Sequence, residues 1–272
     1  MAFVVAVTGG ARGIGRATAA AFAAAGATVV IGDVDADAAA ATASEIGVRA
    51  ETLDVRDPAS WAAFVAAVGE PIDVLVNNAG IAYPGNFLDT PAEMRELQLD
   101  VNLRGVINGM SAVLPAMRAR GRGHVVNVAS LAGKIATPNA AIYTATKHAV
   151  VGLTESVRAE LHGSGVRLTA VLPSFVTTEM TEGLPLKGIP MVDPKVVAGA
   201  ILRQVRRGGP ALVPVPRWMG GIPRLAAFTP QSVLDVMRHG FGDRDVSDSN
   251  TLRERYQERL RGLLRRPDEG EA

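Results

Sequence analysis

The sequence predicts a doubly wound α/β fold: a seven-stranded parallel sheet flanked by helices, followed by a C-terminal helical appendage. Three observations carry that expectation. Seven short apolar runs rich in β-branched residues recur along residues 3–215 with little polar alternation, the pattern of strands buried on both faces. Ala-rich stretches long enough for crossover helices separate them, as parallel neighbours require. A glycine cluster stands directly between the first run and the first helical stretch.

The first strand runs from Phe3 to Val7 with no basic leader before it, so it reads as the start of the fold and not as a signal peptide. The chain then turns through Gly9, Gly10, Gly13 and Gly15 into a helix near 13–25. Thr28 to Ile31 is the second strand, ended by Gly32-Asp33, with a helix near 36–46 after it. Arg49 to Val55 and a helix near 58–68 follow. The fourth strand, Ile72 to Val76, precedes one long helix near 91–119. The fifth, His124 to Val128, precedes a helix near 143–162; the sixth, Arg167 to Leu172, one near 193–207; the seventh is Ala211 to Val215. One catalytic domain is expected over 1–215, with a lid at about 178–194. From 216 to 266 the pattern changes to a Pro- and Trp-bearing segment and helices near 230–239 and 249–265, an extension expected to pack on the domain. Residues 267–272 are expected to be disordered.

Composition narrows the chemistry. The absence of cysteine removes a thiolate nucleophile, a disulfide framework and a thiolate metal site. The four histidines show no ligand spacing, so no metal is expected. Net charge is +1, with a mildly basic tail whose Arg residues alternate with Glu in Leu252-Arg253-Glu254-Arg255-Tyr256-Gln257-Glu258-Arg259-Leu260. That alternation suits an amphipathic helix and not a nucleic-acid patch; peripheral membrane contact through the extension stays open. No apolar run is long enough to cross a bilayer, and a cytoplasmic location is expected.

Strand, glycines, helix is the context of a dinucleotide site. In Thr8-Gly9-Gly10-Ala11-Arg12-Gly13-Ile14-Gly15 the glycines let the backbone approach a pyrophosphate whose charge sits at the positive end of the following helix. Asp33, at the end of the second strand, can accept both ribose hydroxyls of an adenosine and repels a 2′-phosphate, which favours NAD over NADP. Arg12 argues the other way, since a guanidinium can pair with that phosphate; the strand-end carboxylate is fixed, whereas Arg12 can swing into solvent.

The sequence resembles the short-chain dehydrogenase/reductase family in its compact single-domain Rossmann form, across about residues 3–215. The resemblance rests on motifs in order: the Thr8–Gly15 loop, Asp54-Val55, Asn77-Asn78-Ala79-Gly80, Asn102, Ser130, Tyr143 with Lys147, and Pro173-Ser174-Phe175-Val176-Thr177-Thr178. Tyr143 and Lys147 are four apart and share one helix face. The resemblance implies that Tyr143 is the general acid/base, its phenol made more acidic by the Lys147 ammonium. Lys147 would also hold the nicotinamide ribose, Ser130 would bond the substrate oxygen, and Asn102 would anchor a water between Lys147 and solvent. Cofactor contacts are implied for Gly9, Arg12, Gly13, Ile14, Gly15, Asp54, Val55, Asn78, Ala79, Gly80, Pro173, Val176 and Thr178. Ser174 departs from the family's glycine and intrudes toward the nicotinamide pocket. Leu131, Tyr83, Phe175 and Met180 would wall an apolar pocket.

The implied function is an NAD-dependent oxidoreductase that interconverts a hydrophobic secondary alcohol and its ketone, working as a homodimer or homotetramer. The alternatives are an NADP-linked ketone or 3-oxoacyl reductase, and a catalytically idle NAD-sensing or scaffold protein on the same fold.

Overall fold

A computed structural model describes residues 3–184, 190–221, 223, 225, 229 and 251–264. Strands and helices alternate from the start: β1 (Val4–Thr8), α1 (Gly13–Ala24), β2 (Thr28–Asp33), α2 (Ala36–Ile46), β3 (Arg49–Thr52), α3 (Pro58–Val68) and β4 (Val74–Asn77). After them come α4 (Ala92–Leu99), α5 (Gly105–Ala119), β5 (Gly123–Val128), α6 (Ala141–Glu160), β6 (Val166–Pro173), α7 (Pro194–Arg207), β7 (Leu212–Val215) and α8 (Thr251–Leu264). Every strand pairing is parallel, in the order β3-β2-β1-β4-β5-β6-β7.

The apolar runs explain the layers. Successive residues of a strand face opposite sides, so Val4 and Ala6 join one core, with Trp61 and Phe64 of α3, Met110 of α5 and Val150 of α6. Val5 and Val7 join the other, with Phe22 of α1, Ala39 of α2 and Ile201 of α7. Both faces of the sheet are therefore covered, which is why the strands read as continuous apolar runs. A polar chain crosses this interior: Asn77 Nδ2 donates to Asn127 Oδ1 at 2.9 Å, and Asn127 Nδ2 donates to Thr154 Oγ1 at 2.9 Å. It ties β4 and β5 to α6, the helix that carries Tyr143 and Lys147.

Two elements depart most from the sequence expectation. The third strand ends at Thr52 and not at Val55, because Asp57 caps α3 through Ala59 and Ser60 N–H and the chain must turn to reach it. The single helix expected over 91–119 is interrupted by a π-helical turn, Asp100–Arg104, that contains Asn102. The extension's second expected helix is present as Thr251–Leu264, whereas the helix expected near 230–239, and the disorder expected over 267–272, lie outside the described residues. Among the described residues no helix is long and apolar enough to cross a membrane.

Because β1 and β4 are neighbours while the chain leaves them in opposite directions, the loops after these two strands diverge and leave a crevice at their carboxyl ends. The Gly9–Gly15 loop follows β1, and Asn78-Ala79-Gly80 follows β4.

Candidate active site

A cavity of about 660 Å³ opens at this crevice. One end of it is built by two loops clamped together. Thr8 Oγ1 accepts from the N–H of Asn78 and of Ala79, both at 3.0 Å, and Asn78 Nδ2 donates to the carbonyls of Thr8 (2.9 Å) and Gly9 (3.1 Å). Arg12 is the N-cap of α1, yet no side chain caps that helix and no acid stands in its first turn. The terminal N–H groups and the positive end of the helix dipole thus face the cavity available to an outside anion. Gly15 lies off the cavity wall, beneath Gly9: a Cβ there would come within 2.0 Å of the Gly9 carbonyl oxygen. Gly15→Ala is therefore expected to cost about 1–3 kcal/mol of stability, read as a lower urea midpoint; an unshifted midpoint would mean the loop has room to move.

Asp33 is held as expected, its Oδ2 accepting from Ala11 N–H at 3.0 Å and its Oδ1 from Asp35 N–H at 3.2 Å. Arg12 Nη2 pairs with Asp35 Oδ2 at 2.8 Å, and this hydrogen bond is the main reason the Asp35 carboxyl sits below its ordinary range. Both partners are well exposed, so the pair is worth little and can open. Asp54 lines the cavity with its carboxylate gripped by Arg56 Nε and Nη2, the closest contact being 2.6 Å, and Val55 lies buried beside it.

At the other end, α6 presents Tyr143 and Lys147 to the same cavity as Ser130. Ser130 caps a short 3-10 turn, Leu131–Gly133, its Oγ accepting from Ala132 N–H at 3.1 Å. That turn rests directly on α6: a Cβ on Gly133 would lie 2.6 Å from the Lys147 carbonyl oxygen. The seating sets the Ser130 hydroxyl, which also reaches Pro173 O at 3.5 Å, beside the Tyr143 phenol, close enough to act on its ionisation. Lys147, only 5% exposed, donates through Nζ to Val128 O at 2.9 Å and stands 5.6 Å from the centre of the Tyr143 ring.

The charge balance corrects one expectation. Burial pushes the Tyr143 phenol up, and only the Ser130 hydrogen bond works against it. Burial likewise pushes Lys147 down, to about 8. The family resemblance implies a phenol made more acidic by the lysine; in the folded protein desolvation dominates both groups.

Asn102 is fixed at both ends of its amide. It is fully buried and off the cavity wall, with Oδ1 accepting from Ile81 N–H (2.8 Å) and Nδ2 donating to Ile81 O (2.8 Å) and Thr146 Oγ1 (3.2 Å). Both ends of the amide have protein partners, so the side chain fixes the loop after β4 to α6. Of the expected apolar wall, Leu131, Phe175 and Met180 line the cavity. Tyr83 does not; it packs against the core, and its N–H donates to Gln98 Oε1 at 3.1 Å.

Gly9, Gly13, Ile14, Asn78, Ala79, Gly80, Pro173, Val176 and Thr178 all border the cavity, and so does Ser174. The base of the lid is a short parallel bridge, Val176 to Val192, with Thr177 N–H on Val192 O (2.9 Å) and Val192 N–H on Phe175 O (2.8 Å). Residues 185–189 of the lid lie outside the described residues.

The part played by α8 is one that the sequence leaves open between several packings. Tyr256 Oη accepts from Ala82 N–H at 3.0 Å, Arg56 Nη1 donates to Leu263 O at 2.8 Å, and Arg259 Nη1 donates to Glu179 Oε2 at 2.8 Å. These bonds join α8 to the loops after β4, β3 and β6, so the extension walls the cavity of its own chain, with Arg259, Gly262 and Leu263 as lining residues. The one local signal is the apolar i, i+4 series Tyr256, Leu260, Leu264, which marks a packed face without saying against what. Among the described residues no group of three or more His, Asp and Glu is arranged to hold a metal ion.

Comparison with known proteins agrees with this geometry. A family model for short chain dehydrogenases matches residues 3–187. A 3-alpha-(or 20-beta)-hydroxysteroid dehydrogenase of Mycobacterium tuberculosis (strain ATCC 25618 / H37Rv) is 43% identical over 188 residues, 67% of this chain and 72% of the relative. The crystal structure of a 3-oxoacyl-[acyl-carrier protein] reductase with bound NAD from Brucella melitensis is similar with a TM-score of 0.71 and 32% identity, over 78% of this chain and 89% of that one. A short chain dehydrogenase/reductase from Burkholderia phymatum in complex with NAD has a TM-score of 0.76 at 25% identity, over 92% and 98% of the two chains.

Proposed function

The chain belongs to the short-chain dehydrogenase family, and from that premise we propose that it is an NAD-dependent oxidoreductase interconverting a hydrophobic secondary alcohol and its ketone. The observation that carries the reading is the meeting of Ser130, Tyr143 and Lys147 in one cavity with the Gly9–Gly15 loop. The residues fit a dinucleotide. The uncapped start of α1 suits a pyrophosphate, and the doubly anchored Asp33 carboxylate retains acceptor capacity for ribose hydroxyls.

When bound, the dinucleotide supplies the hydride chemistry. The chain's own residues orient the substrate and manage its proton. Ser130 Oγ, already engaged with Tyr143, positions the substrate oxygen within reach of the phenol. Tyr143 Oη gives its proton to that oxygen in reduction and takes the hydroxyl proton in oxidation. Because burial raises the phenol, Tyr143 is protonated at neutral pH and ready for the reducing direction; oxidation needs the phenolate and gains as pH rises. Leu131, Phe175, Met180 and Met219 offer an apolar wall, and the resemblance to a hydroxysteroid dehydrogenase supports a lipophilic substrate. A second reading, reduction of a 3-oxoacyl group, is favoured by the likeness to the Brucella reductase. The working form on either reading is a cytoplasmic homodimer or homotetramer.

The test is a fluorescence titration with NADH and NADPH, joined to turnover of lipophilic secondary alcohols, their ketones and a 3-oxoacyl thioester. Binding of NADH with no turnover of any of them would return the chain to the idle sensor. Cofactor choice has its own check. Asp33→Ala is expected to move the NADH-to-NADPH affinity ratio toward NADPH by about tenfold or more, since the carboxylate both holds the ribose and repels a 2′-phosphate. Wild-type protein that binds NADPH as tightly as NADH would remove the NAD assignment.

A further inference from the structure

Residue 259 lies well beyond the stretch matched by the family model, yet its side chain lines the cavity together with Gly9, Arg12 and Gly13. We propose that Arg259 is an additional cofactor-binding residue, its guanidinium exchanging Glu179 for the pyrophosphate of a bound dinucleotide. This rests on the dinucleotide reading of the same cavity.

Position comes first. Arg259 Nη1 holds Glu179 Oε2 at 2.8 Å, and Glu179 directly follows Thr178. The Thr178 methyl would be 3.2 Å from a Cβ on Gly13, the first residue of α1. The guanidinium is thus anchored one residue along the chain from the group that touches the uncapped helix start. Its backing is rigid: the Arg259 guanidinium lies 5.3 Å from the centre of the Tyr256 ring, and Tyr256 is 4% exposed and bonded to the Ala82 N–H. The planar fork is therefore preorganised on an aromatic face, which lowers the entropy lost when it grips an oxyanion.

Charge supplies the exchange. The Arg259 and Glu179 side chains are 34% and 33% exposed, so their ion pair is solvent-screened and opens at little cost. A pyrophosphate arriving at α1 repels Glu179 and offers the guanidinium a more highly charged partner with matching geometry. The field of Arg259 already reaches across the cleft, helping to hold the Asp35 carboxyl below its ordinary range.

The experiment is NADH titration by fluorescence on full-length wild type, Arg259→Ala, Arg259→Lys and Glu179→Gln, with calorimetry of ADP-ribose and adenosine. Arg259→Ala is expected to weaken NADH and ADP-ribose about tenfold, the worth of one charge-assisted hydrogen bond, and to leave adenosine, which has no phosphate, unchanged. Arg259→Lys recovers part of that affinity. Glu179→Gln tightens NADH, because the guanidinium then leaves no charged partner. Equal NADH affinity in wild type and Arg259→Ala overturns the inference alone. So does Glu179→Gln weakening NADH as much as Arg259→Ala, since the pair would then be a latch for α8. Wild type that binds no dinucleotide overturns the cofactor reading itself.

Discussion

Tyr143→Phe is expected to lower kcat by about 10²–10⁴ while leaving NADH affinity essentially as in wild type. The phenylalanine ring keeps the shape of the α6 face and the aromatic surface near the Lys147 ammonium, so the fold and the cofactor end are spared. What disappears is one hydroxyl, and with it the proton donor at the substrate oxygen and the partner of Ser130. The effect should appear in single-turnover measurements of ketone reduction as well as in steady state, because proton transfer belongs to the chemical step. A variant that reduced the ketone at the wild-type single-turnover rate would take the acid/base role away from this residue. The oxidation direction carries a second signature: wild-type rates should climb with pH as the phenol ionises, and the residual rate of the variant should not.

Much of this site can be read from the chain because its parts obey local rules. The Gly9–Gly15 loop announces itself by standing between an apolar run and a helix, and Tyr143 and Lys147 share a face because four residues make about one turn. Asp33 falls at a strand end, and the carboxyl ends of parallel strands are where such folds keep their ligands. What stays hidden depends on long-range packing. The apolar spacing over 91–119 runs straight through the π turn at Asp100–Arg104, so nothing local marks where Asn102 leaves the α-helical register. Tyr83 is apolar with a polar tip and suits either a pocket wall or the core; the bond from its N–H to Gln98 goes with the second. The sign of the Tyr143 shift is the clearest case. Spacing places a cation near a phenol, but how far each is desolvated is set by residues from several strands and loops, and that outweighs the pair. The place of α8 is out of reach for the same reason, since its partners Ala82, Arg56 and Glu179 come from three different loops.

Lys147→Met should separate the catalytic value of the buried ammonium from its cost to the fold. Folding lowers the lysine from its ordinary 10.5 to about 8, chiefly by burial. Between those two values the unfolded chain binds more protons than the folded one, so this group makes stability rise with pH across that window. Below pH 8 both states are protonated and the burial penalty is felt in full, on the order of 3 kcal/mol from the size of the shift. Methionine removes that penalty but leaves the Val128 carbonyl without its 2.9 Å donor, which costs about 1–3 kcal/mol. The variant is therefore expected to match or exceed wild-type stability at pH 7, and to fall behind it as pH approaches 10. Urea unfolding at the two pH values, with the same variant assayed for turnover, reads both sides. Turnover should fall by roughly one to two orders of magnitude, because the variant loses the ammonium that the family resemblance places on the nicotinamide ribose. A stability difference that stayed flat from pH 7 to 10 would mean that the lysine is not held below its ordinary value, and the electrostatic account of this site would have to be rebuilt from the phenol alone.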